Sequence, residues 1–508
     1  MNAGLTRRQV LQGAGGVAAL AIVGGGLAEL VSEPSHRLPR FGSSPVKPAG
    51  EVHAFRSQPH LRAPTVTTIA GAKAERSDHA DPGFLFLGPG PVSLSGTEQY
   101  GPLIVDRRDE LVWFRPVAPG LEVTNFATSS YRGEPVLVWW EGKVLQTGYG
   151  HGEAVLLNRA YREVARVRAA GGRAMDMHAL VLTPAGTALF TCHPELVPAD
   201  LSSIGGRRDA QVYESIIQEV DIATGRLLFE WRSLKHIPLS SSCLPVDLRY
   251  DYLHPNSIQL LPDGNLLVSA RHTWAIYKLE RRTGEVMWTL GGKNSDFEMG
   301  PGTAFAWQHD ARRVSENVFS LFDNGSDGAI DTERQSRGLL LEVDESRRKV
   351  TLGTAFTAPR RTLSSSMGSV QVLPSGRVVV GWGVAPHTIE FAADGSLLFD
   401  TALPPGMYSY RSLWLHWKGT PRHRPAIAAT RDRQTGTRFI YASWNGATDV
   451  RDWRVNAGLT RHQLRPVGIA ARRGFETVIR LDAGARFVSV TALDRHGRSL
   501  KHSRTVKL

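Results

Sequence analysis

Three histidines stand at nearly the same distance before a turn in successive segments of the chain. His178 lies in DMHALVLTPAG, His254 in YLHPNSIQLLPDG, and His309 in QHDARRVSENVFSLF. In the next segment, SSSMGSVQVLPSG, the same offset falls near Met367. A single histidine is more often a satisfied core or turn residue than a catalyst. Three at one offset favour a shared site.

Two kinds of chemistry suit three imidazoles. They can hold zinc, which takes three protein ligands and a water in catalytic sites and usually needs carboxylates behind the imidazoles. Alternatively, a neutral imidazole is a nucleophile or general base near pH 7. Asn256 lies two residues after His254 and so on the same strand face. Arg271 offers a planar fork for oxyanions, unless it forms a surface salt bridge. Together they favour sulfuryl or phosphoryl transfer.

The surrounding sequence predicts many short strands joined by tight turns. Glycine (51 residues) and proline (29 residues) are abundant. Apolar strands flank Pro-x-Gly turns in LTPAGTALFTC, LLPDGNLLVSA and VLPSGRVVVGW, and they follow acidic or glycine turns in DRRDELVWF, DIATGRLLFEW, ERRTGEVMWTL and FAADGSLLFD. One full unit makes about four strands. The spacing of the units predicts a β-propeller, with six blades favoured over seven. The histidine-bearing strand would be the innermost of its blade, and Phe305–Trp307 would form such a strand, ending where His309 meets the central funnel.

The all-β prediction divides the chain into four parts. Residues 1–32 contain TRRQVLQ before a short glycine-rich apolar run, which predicts a twin-arginine signal, although an ordinary secretory signal or an uncleaved membrane anchor also fits. Residues 33–80 form a linker or an extended edge segment. Residues 81–418 form the catalytic propeller, and residues 419–508 form a small β-sandwich of immunoglobulin or fibronectin type. We therefore expect an exported protein, extracellular or in the cell envelope.

Composition narrows the possible partners. The net charge of +12 comes from dispersed basic residues without a lysine or arginine block, so nucleic-acid binding is not expected. The two cysteines, Cys192 and Cys243, permit one disulfide in an exported protein. The sequence does not show whether they pair, and it leaves the oligomeric state open.

Five stretches resemble, in the same order, the arylsulfate sulfotransferase family of exported bacterial propellers. They are DMHAL, DYLHPNSI, LLVSARHTWAIYKLERRTGEVMWTLGGKNSDF, FAWQHDARR and SLFDNG. The resemblance runs from about Gln58 to Trp417, and the C-terminal part is similar to the actinobacterial branch. It implies transfer of a sulfuryl group from a phenolic sulfate ester to a phenol by a ping-pong mechanism, without a nucleotide donor, metal or other cofactor. The expected partners are small phenols and aryl sulfate esters.

The resemblance also implies roles for matching residues. His309 matches the histidine that becomes sulfated, and His254, Asn256 and Arg271 match positions that hold the sulfuryl oxygens. His178 matches a further active-site histidine, and it or His254 would protonate the leaving phenolate and deprotonate the acceptor. The chain departs from the family pattern at DMHAL, where DLHEF is common. It departs again at the residue after Arg271, where His272 replaces a common asparagine.

Three tryptophans are candidates to line a slot for the phenol ring: Trp307, Trp140 and Trp274. Packing between blades is an alternative for each. A calcium loop is an alternative for FDNGSDGAID (residues 322–331), but the closing glutamate is absent, which favours an Asx-type turn.

Two other functions fit parts of the pattern. One is a non-catalytic exported propeller that binds glycans or protein partners, and the other is a zinc-dependent ester hydrolase. The joint presence of His309, His254, Asn256 and Arg271 favours the sulfotransferase, since a binding scaffold does not need this set.

Overall fold

The structure of the protein is a computed structural model, and it describes residues 38–46, 50, 52–71, 81–92, 99–481 and 484–508. The predicted signal or anchor at residues 1–32 lies outside the described residues. Parts of the predicted linker or edge segment, residues 33–37 and 72–80 among them, lie outside as well. Within the described ranges, no helix is both long and apolar enough to cross a membrane.

Regular structure in the described residues is almost entirely β-strand, which confirms the all-β prediction. The first strands are β1 (Arg40–Phe41), β2 (Ser43–Pro45) and β3 (Thr67–Ala70). They are followed by β4 (Phe84–Pro91), β5 (Leu103–Val105), β6 (Leu111–Phe114), β7 (Glu122–Tyr131), β8 (Glu134–Val144), β9 (Gly150–Asn158), β10 (Glu163–Val167), β11 (Met175–Leu182), β12 (Thr187–Ala199), β13 (Ala210–Asp221), β14 (Leu227–Arg232) and β15 (Arg249–Tyr250). Short 3-10 helices cover Ser202–Ile204, Ser233–Lys235 and Leu239–Ser241.

The strands continue to the C-terminus at similar spacing. The next are β16 (Pro255–Leu260), β17 (Leu266–Ala270), β18 (Ala275–Leu279), β19 (Val286–Gly291), β20 (Glu298–Met299), β21 (His309–Arg313), β22 (Val318–Asp323), β23 (Arg337–Asp344), β24 (Lys349–Thr357), β25 (Ser369–Val372), β26 (Val378–Gly381), β27 (His387–Phe391), β28 (Leu397–Ala402) and β29 (Met407–Leu415). The last are β30 (Ala426–Arg431), β31 (Arg438–Ser443), β32 (Asp452–Gly458), β33 (Arg465–Ala471), β34 (Glu476–Leu481), β35 (Phe487–Leu493), β36 (Ser499–His502) and β37 (Val506–Lys507).

Strands β4 to β29 form successive antiparallel meanders. The sheet orders are β29-β4-β5-β6, then β14-β13-β12-β11-β9-β8-β7, then β16-β17-β18-β19, then β20-β24-β23-β22-β21, and then β25-β26-β27-β28-β3. The second sheet joins two meanders, because β9 pairs with β11 at Gly152 and Met175. The first strands of the meanders are β7, β11, β16, β21, β25 and β29. They contact one another in chain order, and β29 also contacts β7.

This ring of contacts puts the first strand of every meander beside a common centre. The arrangement is the one that a propeller requires of its innermost strands. The blade count stays a prediction.

Two further sheets are built from the C-terminal strands. One has the order β1-β33-β32-β35-β36 with β37 on β35, and the other has the order β2-β34-β31-β30. Ile440, Trp453 and Val490 belong to one buried cluster between these sheets. The strands β1, β2 and β3 all lie at sheet edges, so the N-terminal segment contributes strands to the C-terminal sheets and to a meander. The immunoglobulin or fibronectin type of the C-terminal sheets stays a prediction.

The middle strands of the meanders are buried on both faces. All residues of β17 and β18 are buried, because neighbouring sheets pack face to face over them. One such core joins Ile276 and Leu290 to Phe319 and Leu339 of the following sheet. A strand that is buried on both faces needs a nearly continuous apolar run, and AIYKL of β18 is an example. Cys192 and Cys243 are both free thiols.

The expected strand over Phe305–Trp307 is wrong. Strand β21 begins at His309, and the preceding residues form a bend in which Trp307 has a φ of 50°. A left-handed residue interrupts the extended backbone, so the aromatic run cannot pair as a strand there. The 322–331 loop contains the Asx-type turn that the sequence favoured, since the N–H groups of Ala329 and Ile330 donate to Asp327 Oδ1 at 2.9 and 2.7 Å.

Candidate active site

Irregular backbone near the starts of the first strands surrounds the predicted site. Asn125, His254, Asp310 and Met367 have φ values of 54°, 57°, 54° and 64°. The β7, β16 and β21 registers shift beside the first three of these residues. Bulges redirect side chains, and a left-handed non-glycine residue persists only where its surroundings enforce it. At the ends that lie near the common centre, the irregular backbone of these strands therefore orients particular side chains toward the site.

His309 is buried and contacts two different strand ends. Its Nδ1 lies 2.8 Å from Asn324 Oδ1, and its Nε2 accepts a bond from the Met367 N–H at 3.3 Å. The Asn324 amide is oriented by Nδ2, which donates to the carbonyls of Ser364 and Met367 at 2.7 and 3.0 Å. Oxygen therefore faces the imidazole, so Nδ1 carries the ring hydrogen and Nε2 presents its lone pair.

The charge state of His309 follows from its surroundings. Burial holds the pKa of His309 well below its usual value, and the Arg271 guanidinium lowers it further. The amide of Asn324 raises this pKa only in part. His309 is consequently neutral at physiological pH, with an unprotonated Nε2.

His178 and His254 form a direct pair. Their Nε2 atoms are 3.1 Å apart. His178 Nδ1 lies 2.6 Å from Asp176 Oδ2, and His254 Nδ1 lies 2.7 Å from Asp251 Oδ2. Burial lowers the pKa of His254 to about 3, although Asp251 opposes this effect. The two rings are thus held between two carboxylates.

Both carboxylates are ionised. Burial alone would raise the pKa of Asp251, but His254 and His272 hold it well below its usual value. Burial likewise opposes ionisation of Asp176, but His178 and the N–H of Gly150 keep its pKa below the usual range. Each carboxylate therefore accepts the Nδ1–H of the histidine that it faces.

Arg271 is connected to this pair through His272. Its guanidinium donates to His272 Nε2 at 2.8 Å and to the Ser365 carbonyl at 3.0 Å. His272 Nδ1 lies 2.6 Å from the Asp251 carbonyl oxygen. Tyr149 donates its hydroxyl to Asp251 Oδ1 at 2.7 Å. Asp251 thus organises three neighbours of the predicted oxyanion site.

Asn256 is fully buried beside His309. Its Nδ2 donates to the Gln308 carbonyl at 2.7 Å, which leaves one amide hydrogen for a ligand. Its Oδ1 has no hydrogen-bond partner in the described part of the chain. The structure therefore brings all five predicted catalytic residues, His178, His254, Asn256, Arg271 and His309, into one connected cluster, in which Arg271 is half-buried and the others are buried. Their roles stay predictions.

Arg411 of β29 bridges four other first strands at the centre. Its guanidinium donates to Asn125 Oδ1, to the His178 carbonyl at 3.3 Å and to the Asn256 carbonyl at 3.0 Å. Its Nε lies 2.8 Å from Asp310 Oδ1. The neighbouring Tyr410 ring lies 5.9 Å from the His178 ring and 6.3 Å from the His309 ring. These two residues connect the histidine pair to the nucleophile candidate.

The three predicted substrate-binding tryptophans lie in two environments. Trp140 is fully buried in a meander core, and its indole N–H donates to the Met175 carbonyl at 3.0 Å, which is the packing alternative. Trp274 and Trp307 lie together with ring centroids 4.8 Å apart. Among the described residues neither indole N–H has an acceptor. Their role in substrate binding stays a prediction.

A metal ion fits the cluster poorly. Of the described residues, Asp251, His254 and His272 form the group whose ligand atoms lie within 4.8 Å of one another, which differs from the three predicted histidines. The Arg271 guanidinium donates to His272 Nε2. A cation at one ligand atom opposes the binding of a second cation there.

Sequence reasoning missed several residues of the cluster. Asp176 and Asp251 precede His178 and His254 by two and three residues, so the patterns DMH and DYLH contained a usable signal. Asn324 lies in the quoted motif SLFDNG without having been assigned a role. Arg411 had no local signal, because its partners come from distant strands.

Residues 129–403 match the arylsulfotransferase (ASST) family model, which is just over half of the 508 residues. The chain belongs to the arylsulfotransferase family. Membership suggests aryl sulfotransferase activity and phenolic or aryl sulfate substrates. A search of the curated proteins finds no match.

Solved structures resemble this arylsulfotransferase-family chain only distantly. A protein of unknown function from Bacteroides caccae is 13% identical over 65% of this chain and 98% of its own, with a TM-score of 0.38. A protein from Lactobacillus plantarum is 14% identical over 79% and 99% of the two chains, with a TM-score of 0.36. Virginiamycin B lyase from Staphylococcus aureus is 10% identical over 64% and 83%, with a TM-score of 0.25. At these TM-scores the similarities carry no argument about function.

Proposed function

We propose that the protein transfers a sulfuryl group from a phenolic sulfate ester to an acceptor phenol, through a transient sulfohistidine at His309. The observation that carries this proposal is the contact between His309 Nδ1 and Asn324 Oδ1 at 2.8 Å. It leaves Nε2 unprotonated in a buried site beside Arg271. A buried neutral imidazole next to a cation suits attack on an anionic sulfate ester.

The sulfuryl group requires donors that stabilise spread negative charge. Its transition state resembles a loose phosphoryl transfer, with charge on three equatorial oxygens. Arg271 and the remaining Asn256 amide hydrogen are available next to His309. The Met367 N–H, which donates to His309 Nε2, becomes available when that lone pair attacks sulfur. Such fixed donors contribute most where charge develops during the reaction. In the sulfated state, the Asn324 contact keeps the hydrogen on Nδ1, which makes Nε2 the better leaving atom.

The histidine pair supplies the proton. Because both Nδ1 atoms carry hydrogens toward ionised carboxylates, the Nε2 atoms of His178 and His254 face each other at 3.1 Å. That contact is a hydrogen bond only if one Nε2 is also protonated. The pair therefore holds one proton more than two neutral rings. Either His178 or His254 then carries this proton.

The two half-reactions then balance. His309 Nε2 attacks sulfur, the S–O bond to the donor phenol breaks, and the leaving phenolate takes the proton from the pair. The acceptor phenol next returns a proton to the pair, its oxygen attacks sulfur, and the N–S bond breaks. The pair thus regains its proton in every cycle.

We also propose the number of blades, the type of the C-terminal domain and the location of the protein outside the cytoplasm. The ring of first strands supports a six-bladed propeller, and the cluster around Trp453 supports a C-terminal sandwich of immunoglobulin or fibronectin type. The TRRQVLQ stretch supports export by the twin-arginine route to the cell envelope or beyond. Changing Arg7 and Arg8 to lysine should abolish export, and unchanged export would contradict this part.

The decisive experiment is a burst with 4-nitrophenyl sulfate and no acceptor. After quenching, mass spectrometry should find one SO3 on the peptide that carries His309, with nitrophenol release close to one equivalent. The His309→Ala variant should give neither signal, whereas His387→Ala, which removes a histidine outside the cluster, should give both.

Other outcomes overturn the proposal. Nitrophenol release without an adduct, abolished by chelator, would support a zinc-dependent hydrolase. Neither adduct nor nitrophenol, with or without phenol, would favour a glycan- or protein-binding propeller. Full activity in chelator would exclude the hydrolase.

A further inference from the structure

Aromatic rings extend from the histidine pair toward solvent. The Tyr149 ring lies 4.6 Å from the His254 ring, 6.0 Å from the Tyr213 ring and 5.8 Å from the His193 ring. The His193 ring lies 4.2 Å from the His151 ring. Tyr149, Tyr213, His193 and His151 are called the aromatic row below. They come from the β8–β9 turn and from β9, β12 and β13, so separate strands converge on one row.

Exposure increases along the aromatic row. Tyr149 is buried, Tyr213 and His193 are half-buried, and His151 is exposed. Gly148, beside Tyr149, lies over the catalytic end of the row, where an added Cβ would come 3.8 Å from His254 Cε1. The row therefore reaches from the surface to the pair that handles the phenolic proton.

The chemistry of the row suits uncharged aromatic groups. The Tyr149 hydroxyl is bound to Asp251 and its ring is buried. The half-buried Tyr213 and His193 and the exposed His151 are therefore the rings left for contact. Burial lowers the pKa of His193, and His151 lowers it further, so His193 is a neutral ring. Stacked and edge-on contacts between such rings and an aryl group are favourable.

We infer that the aromatic row is an extended phenol-binding subsite, fitted to acceptors with two linked aromatic rings. The inner ring would bring the reacting hydroxyl to the histidine pair beside the exposed Gly148, where the missing side chain leaves room. The outer ring would contact Tyr213, His193 and His151. A single-ring phenol reaches only the inner part, so the outer residues discriminate between acceptors. This inference rests on the proposed function for its reaction, but not for the binding that it predicts.

The test compares 4-phenylphenol with phenol as acceptors, using 4-nitrophenyl sulfate as the donor. His151→Ala and Tyr213→Leu should lower kcat/KM for 4-phenylphenol by about 3- to 10-fold, the loss expected for one or two aromatic contacts. The values for phenol, and the nitrophenol burst without acceptor, should change less than about 2-fold by the same reasoning. His462→Ala, which removes an exposed histidine of the C-terminal sheets, is the matched control.

Direct binding separates this inference from the proposed function. Calorimetry should show 4-phenylphenol binding to the wild type about 3- to 10-fold more tightly than to His151→Ala, whether or not turnover occurs. His151 is exposed, so its replacement does not threaten folding. Equal losses for both phenols, or no loss with either variant, would overturn the inference. If no nitrophenol burst occurs but 4-phenylphenol still binds more tightly to the wild type than to His151→Ala, the result would count only against the sulfotransferase reaction.

Discussion

His309 differs from the other two histidines of the cluster in what faces its Nδ1. His178 and His254 face ionised carboxylates at 2.6 and 2.7 Å, whereas His309 faces a neutral amide at 2.8 Å. A carboxylate favours the imidazolium form, and an amide fixes the tautomer without a comparable charge effect. Under the proposed function, this difference would direct the imidazole to proton transfer at two positions and to nucleophilic attack at the third.

Replacing Asn324 with Asp should make His309 depend on pH. The new carboxylate raises the pKa of His309, so Nε2 is protonated and unreactive below that pKa and regains activity as pH rises. We expect the burst rate of Asn324→Asp to increase from pH 6 to pH 8, because a neighbouring carboxylate raises the pKa of a histidine by about 1–3 units. The wild-type rate should stay flat across this range, because the pKa of His309 lies well below it.

The control for this experiment is Asn324→Ala. Both variants lose the bonds from Nδ2 to the carbonyls of Ser364 and Met367, but only the aspartate adds charge. A slope with pH in both variants, or in neither, would contradict the assignment.

Removing one histidine of the proposed proton-donating pair should slow the reaction of each sulfate ester to an extent that depends on its leaving group. For His178→Gln we expect a loss of about 100-fold or more with phenyl sulfate, within the usual range for general acid catalysis. The loss with 4-nitrophenyl sulfate should be smaller, because the weakly basic nitrophenolate leaves without a proton. A double variant with His254→Gln should be little worse than the single one, since the pair acts as a unit. Equal losses on both donors would assign His178 a purely structural role.

At the level of elements, the site is assembled from the bulged ends of first strands. The left-handed residues Asn125, His254 and Asp310 interrupt β-pairing just where polar side chains are needed. Arg411 then connects four of these ends from the strand that closes the ring. Buried charge has to be paired to be tolerated, so this guanidinium and Asp310 hold the separate strands in mutual register.

Replacing Arg411 with Met should therefore weaken the centre of the fold. It removes one donor from each of three acceptors, although the Asn256 carbonyl keeps the Tyr410 hydroxyl at 3.2 Å. Asp310 keeps Arg312 as its remaining cation. We expect the free energy of unfolding to fall by about 3 kcal/mol, measured by denaturant titration. Arg207→Met, which breaks an exposed pair with Asp209, should have no measurable effect. Equal stability of the two variants would exclude the bridging role.

On the scale of the whole molecule, Pro39–Leu508 forms one compact unit. The Glu476 carboxylate of β34 accepts the N–H groups of Arg56 and Ser57 at 3.1 and 2.6 Å. The side-chain amide of Asn445 accepts the N–H of Phe114 in β6 at 3.1 Å and donates to the Phe114 carbonyl at 2.8 Å. The C-terminal sheets are therefore joined to β6 and to the segment before β3 by partly buried polar contacts, as well as by the Phe55 and Phe475 rings at 4.4 Å.

These contacts predict one cooperative unfolding transition for both parts. Glu476→Gln places an N–H donor against backbone donors and should lower the free energy of unfolding by about 1–3 kcal/mol. It should leave a single transition in both intrinsic fluorescence and circular dichroism. Glu134→Gln at an exposed hairpin serves as the control. Two separated transitions in the wild type would show that the sheets unfold independently.

The sequence predicted the parts of the site that depend on local pattern. Alternating turns and apolar runs were enough for an all-β chain, because short strands need frequent turns and buried middle strands need continuous apolar residues. The common offset of His178, His254 and His309 was enough to group them, because repeated units place equivalent residues alike. Pattern failed at Phe305–Trp307, where the left-handed Trp307 ends any strand that the apolar run would favour.

By itself, the sequence determined the chain's repeated units, their strand content and the residue types offered to the centre. Only the tertiary structure decided which atoms those residues present. Asn324, not a carboxylate, faces His309, and the Nε2 atoms of His178 and His254 meet at 3.1 Å. Arg411 reaches strands almost three hundred residues away in the chain. The physical reason is that tautomer, charge and pairing depend on distances between side chains, and only the closing of the strands around a common centre sets those distances.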